Sequence, residues 1–78
     1  MKAAARQKEK CVETPESSSI ARFCYDRQNR VLVVEFQHGG IYNYYAVPES
    51  VFMGMIAAPS KGQFFLENIR DEYDYARH

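Results

Sequence analysis

Five of the six tyrosines of this chain crowd into two short runs, Tyr42-Asn43-Tyr44-Tyr45 and Tyr73-Asp74-Tyr75. On an extended backbone, side chains two apart point the same way. Tyr42 and Tyr44 therefore share one face, and Asn43 and Tyr45 share the other. Phenol rings on a sheet face can stack on unpaired bases, because every base has a π-face. They can equally sit as amphipathic core residues, rings under helices and hydroxyls at the rim. Parity assigns Tyr42 and Tyr44 to the second role and leaves Tyr45 as the better stacking candidate. Arg22, Arg27 and Arg30, with Asn43 and Tyr45, are the residue types that would hold phosphate and base together. Their competing role is to pair with Asp26 and Glu35 on a solvated surface.

Catalytic chemistry finds little to work with. Cys24 and His38 are of nucleophile and base type, but they fall on different elements and no third group orients them. His38 and His78 lack metal-ligand spacing. Asp71, Glu72 and Asp74 form an acidic cluster that reads as a solvated tail. Ser60-Lys61-Gly62 opens a helix, where N–H groups attract anions. No G-x-x-x-x-G-K-[ST] loop accompanies it, and helix capping accounts for Ser60. The expectation is a module that binds and does not catalyse, with no cofactor and no metal.

Cys11 and Cys24 lack the C-x-x-C spacing of a redox or zinc half-site. They are expected to be free thiols in a reducing cytoplasm. No apolar run approaches spanning length and no signal-peptide pattern is present, so a cytoplasmic location is expected.

Those residues need a scaffold, and 78 residues allow one domain. Residues 1–17 are rich in Lys, Glu, Ala and Gln and cannot bury enough surface to offset ordering; a disordered polar arm is expected. Residues 18–77 then form the single domain. A domain of about 60 residues is marginal alone, which favours dimerisation or fusion to a larger protein. Ten basic and ten acidic side chains balance. A committed nucleic-acid binder usually shows a basic excess, so any such role rests on a local patch.

Residues 19–26 alternate, with Ala21, Phe23 and Tyr25 on one face and Ile20, Arg22 and Cys24 on the other. Residues 31–36 are dense in β-branched and aromatic types. Asp26 to Arg30 is a polar connector. Gly39 and Gly40 supply a second turn into a strand at residues 41–45. Three strands with short connectors make an antiparallel meander. Pro48 then opens a helix, with Val51, Phe52, Met55 and Ile56 at helical spacing. Pro59 stops it, and Ser60 and Gln63 form a capping box for a second helix to about Arg70. Residues 71–75 suit a short last strand or tail. The fold class is α+β, in the order β-β-β-α-α with a final short strand. Both helices are expected on the face of Phe23, Tyr25, Leu32, Val34, Phe36, Tyr42 and Tyr44. The opposite face, with Val31, Val33 and Ile41, is apolar enough to serve as an interface.

The ordered set Ser18-Ser19-Ile20, Tyr25-Asp26, Leu32, Phe36, Gly40, Tyr42-Asn43-Tyr44, Val47-Pro48, Ala58, Ser60, Gly62, Phe64-Phe65, Ile69-Arg70 and Tyr73-Asp74-Tyr75 resembles the KTSC domain. That domain is named after the C-terminal region of some lysyl-tRNA synthetases and also occurs as free-standing small bacterial proteins. Tyr42-x-Tyr44 matches its central signature. The chain departs at Leu66, where the family often has Asn, and at Tyr45, where a less aromatic residue is usual. The resemblance implies the α+β fold. Through the synthetase association it also implies RNA or tRNA as a partner. Marginal size and the apolar open face point to the alternative, a protein-interaction or homodimerisation module.

Overall fold

The computed structural model describes residues 9–78. Its elements are β1 (Glu9–Glu13), β2 (Ile20–Asp26), β3 (Val31–Phe36), β4 (Ile41–Tyr44), α1 (Glu49–Ala57), α2 (Lys61–Asn68) and β5 (Tyr75–Arg77). The five strands form one antiparallel sheet in chain order. The meander and the two helices are where the sequence places them; the short last strand falls at Tyr75–Arg77 and not over residues 71–75, and a further strand precedes the meander.

That first strand corrects the expected arm. Residues 1–8 lie outside the described residues, but Glu9–Glu13 pairs with β2 along its whole length. Its composition is polar because it is an edge strand with only Val12 packed against the core. Cys11 stands directly opposite Cys24, with Cα atoms 4.0 Å apart and the two sulfurs bonded. The pair occupies a non-hydrogen-bonded position of the ladder, where facing side chains approach most closely. The free thiols expected from the sequence are therefore a cross-strand disulfide. After β1, the Thr14 hydroxyl donates to the Ile20 carbonyl at 2.6 Å, and the Thr14 N–H donates to the Ala21 carbonyl.

A second correction concerns Ile20. Strict alternation puts it beside Arg22 and Cys24 on the open face, yet it is buried in the core. The register shifts between Ile20 and Arg22, so β2 bulges there and Ile20 turns inward.

The turns follow their residue chemistry. The Asp26 carboxylate accepts from the Gln28 and Asn29 N–H groups, and Arg30 takes a left-handed φ of 57° before β3 begins. Gly39 at φ 109° makes the second turn, closed by the Phe36 N–H on the Gly40 carbonyl.

Pro48 is the N-cap of α1, one position ahead of its first turn. Ala58 is extended before Pro59, as a residue preceding proline should be, and the helix ends. The Ser60 hydroxyl caps α2 by accepting from the Gln63 N–H. The reciprocal half of the capping box is not made, because the Gln63 amide donates to Glu67 instead.

Both helices lie on the predicted face. Phe52 packs edge-on to Phe23 at 5.7 Å and stacks on Tyr25 at 4.9 Å. Phe65 meets Tyr44 and Phe36 edge-on at 5.3 and 5.4 Å. Each such buried ring contributes roughly 1.5–3 kcal/mol. The Tyr25 hydroxyl donates to the Val47 carbonyl at 2.6 Å and ties the sheet to the start of α1.

Candidate nucleic-acid interface

Strand β4 carries the tyrosine pair, and β5 decides what the pair can do. The register places Tyr75 beside Tyr44 and Arg77 beside Tyr42 on the helix-covered face. Helix α2 covers Tyr44 through Phe65, leaving it 4 % exposed. It stops short of Tyr42, which is half-buried. Tyr75 is 59 % exposed, and Leu66 on α2 is exposed beside it. An open cleft of about 540 Å³ results, bounded by Tyr42, Tyr75, His38, Leu66 and Arg70.

The rings of this cleft already contact one another. Tyr75 lies 5.9 Å from Tyr42 and 5.6 Å from Tyr44. His38 stacks parallel on Phe36 at 5.5 Å. The Arg77 guanidinium sits over the Tyr42 ring, 5.6 Å from its centroid. Arg70 follows the end of α2 and pairs at the rim with Asp71 at 3.6 Å. Burial raises the Tyr44 phenol above the ordinary tyrosine pKa, with Tyr75 and Tyr42 adding to the effect. The neighbourhood thus offers π-faces, two cations and hydroxyls, a set suited to stacking and phosphate contact.

The residues singled out from the sequence fall into three places. Arg22 and Asn43 are on the open face. Arg22 is flanked by Glu13 at 3.3 Å and Glu35 at 3.8 Å, so its charge is offset. Asn43 is half-buried there, its Oδ1 without a donor among the described residues. Arg27, Arg30 and Tyr45 lie just past the ends of β2 and β4, outside the lining of the cleft, and the Tyr45 N–H donates to the Asp74 carbonyl next to Tyr75. Arg27 pairs with Glu49 at 3.5 Å, the Arg30 carbonyl accepts from the Val47 N–H, and Tyr45 is 39 % exposed. Tyr42 and Tyr44 form the floor and wall of the cleft. The structure does not bring all seven onto one surface.

Tyr75, Arg77, His38 and Leu66 were not picked out as a site. The Tyr73-x-Tyr75 spacing was a signal, but only the β4–β5 register shows that Tyr75 joins Tyr44. Cys24, the one candidate nucleophile, is held in the disulfide. No group of three or more His, Cys, Asp or Glu suited to a metal occurs among the described residues. No helix among them is long and apolar enough to cross a membrane.

Comparison with known proteins agrees with the fold. The KTSC domain protein of Yersinia pestis, known from its crystal structure, superposes with a TM-score of 0.84 at 31 % identity, covering 90 % of this chain and 97 % of that one. A lysine–tRNA ligase of Nostoc punctiforme is 39 % identical over 61 residues. That match takes 78 % of this chain but only 11 % of the ligase. An uncharacterized protein of Stutzerimonas stutzeri is 34 % identical over 58 residues, 82 % of its own length. A family model described as the KTSC domain matches residues 16–73. With three quarters of the residues matched in order and the same fold around them, this chain belongs to the KTSC domain family.

Proposed function

We propose that this KTSC domain is a non-catalytic module that binds single-stranded RNA through the aromatic cleft at the β4–β5 end of its sheet. The observation that carries the reading is Tyr42 under the Arg77 guanidinium with the exposed ring of Tyr75 beside it. An unpaired base would stack on Tyr75, and Arg77 and Arg70 would meet the flanking phosphates. Such a site needs no basic excess over the whole molecule. The occurrence of a similar segment within lysine–tRNA ligases supports RNA, tRNA included, as the partner class. The cytoplasm is the place this reading assigns to it. Fluorescence anisotropy with a short labelled single-stranded RNA and with tRNA tests the proposal. Binding that weakens as salt rises is expected; no binding to either at low salt overturns it.

A second reading is a homodimer or protein-interaction module using the open sheet face. Half-buried Val31, Val33 and Ile41 favour it, together with the small size of the domain. Sedimentation at micromolar concentration distinguishes the two. A monomer unaltered by Val33→Lys removes the dimer.

A further inference from the structure

We infer that the Cys11–Cys24 disulfide is a reducible clasp on an edge strand, and that its reduction releases Glu9–Glu13 from β2 while the rest of the domain stays folded. Little else holds β1. Among the described residues it packs Val12 against the core, and the Glu13 pair with Arg22 is largely exposed on the Glu13 side. The ladder to β2 is an edge ladder, open to water on its outer side. The strand also precedes residue 16, where the family match begins. The rest of the sheet and both helices pack around a core in which β1 takes no buried part. Release would stop at Thr14, whose buried hydroxyl and N–H are bonded to Ile20 and Ala21.

The sulfurs can be reached. Cys11 is exposed, Cys24 is nearly buried, and both line a shallow cavity of about 260 Å³ with Arg22 and His78 on the open face. Glu35 lines the same cavity and, with Glu13, offsets the Arg22 charge, so what the site offers an arriving thiolate is access to the sulfurs. The reductant is a small thiol of the glutathione class. Its thiolate attacks Cys11 Sγ, the Cys11–Cys24 bond breaks, and Cys24 leaves as a thiolate that takes a proton from water. A second thiolate attacks the reductant's sulfur in the mixed disulfide and frees Cys11. Two protein thiols and one reductant disulfide result, and oxidation by that disulfide runs the same steps backward. Reduction opens two things. One is the β2 edge, where the Phe23 and Tyr25 amides face β1 by the alternation that Thr14 and Ala21 set. The other is the cavity that Lys10 shares with Tyr25, Phe52 and Met53.

Hydrogen exchange of the full chain, read by NMR in oxidised and in reduced glutathione, tests this. Exchange at the Phe23 and Tyr25 amides should quicken by at least about tenfold on reduction. The Cys24 amide, which faces β3, and Val34 should keep their rates. Cys11→Ser should show the fast pattern in either buffer. Three results overturn the inference. The first is that Phe23 and Tyr25 exchange no faster when both thiols are free, so that β1 needs no clasp. The second is that Val34 and Cys24 quicken equally, so that the whole domain opens. The third is that both cysteines alkylate in oxidised glutathione, so that the bond does not form.

Discussion

Tyr25 and Tyr75 do different work in the fold. Tyr25 is a strut: its ring stacks on Phe52 and its hydroxyl is bonded to the Val47 carbonyl. Tyr25→Phe leaves that buried carbonyl without its donor and should cost about 1–2 kcal/mol in urea unfolding. Burial also raises the Tyr25 pKa, which Arg30 partly opposes, and burial raises that of Tyr44. Both phenols hold their protons more tightly folded than unfolded. Stability is therefore whole below about pH 10 and falls as pH rises from there through the folded pKa values. The Tyr25→Phe protein should lose less stability between pH 9 and 11 than the wild type, since one of the two groups is gone (the pH limits are about those of free tyrosine). Tyr75 is by contrast exposed and makes the cleft. Tyr75→Ala should weaken RNA binding by about 1–3 kcal/mol. Tyr45→Ala, whose ring lies outside the residues that bound the cleft, should leave binding unchanged; the same anisotropy titration reads both. Sequence parity named Tyr45 for this role because it counts faces and cannot see where a helix stops.

At the level of elements, the meander and both helices were legible because their apolar residues recur at strand and helix periods and are punctuated by Gly39, Pro48, Pro59 and Ser60. What escaped was set by partners. Strand β1 has a polar composition, and the thirteen-residue separation of Cys11 and Cys24 names no bond until the two strands lie side by side. Ile20 was misassigned because one bulged residue reverses parity. Tyr75 was read in a short last strand or tail over residues 71–75 with no partner named, because strand register comes from pairing. Gly54, within α1, lies against the ring of Phe64 from α2. A Cβ there would lie 2.9 Å from Cζ of Phe64, so the glycine lets α2 approach α1. Gly54→Ala should lower stability by about 1 kcal/mol, the crowding outweighing the gain in helix propensity. Combining it with Phe64→Leu should recover part of that loss beyond additivity, which a double-mutant cycle in denaturant measures.

Over the whole molecule, the ten basic and ten acidic groups cancel, and the arginine positions explain how. Arg22, Arg27 and Arg70 each face a carboxylate. Arg77 has no ion pair among the described residues and lies on the Tyr42 ring, at the cleft. A protein using only Arg77 and Arg70 on phosphates should show a shallow salt dependence, a slope of about −1.4 in log affinity against log salt for a single strand. A steep slope would require a basic surface that the paired arginines do not provide. The central claim, that RNA is held by the β4–β5 cleft, is tested most directly by an amide-resolved NMR titration with a short single-stranded RNA at low salt. The account predicts shifts concentrated at His38, Tyr42, Arg70, Tyr75 and Arg77, with Arg22, Arg27 and Val33 unmoved. Shifts confined to the open face, or none at all, would contradict it.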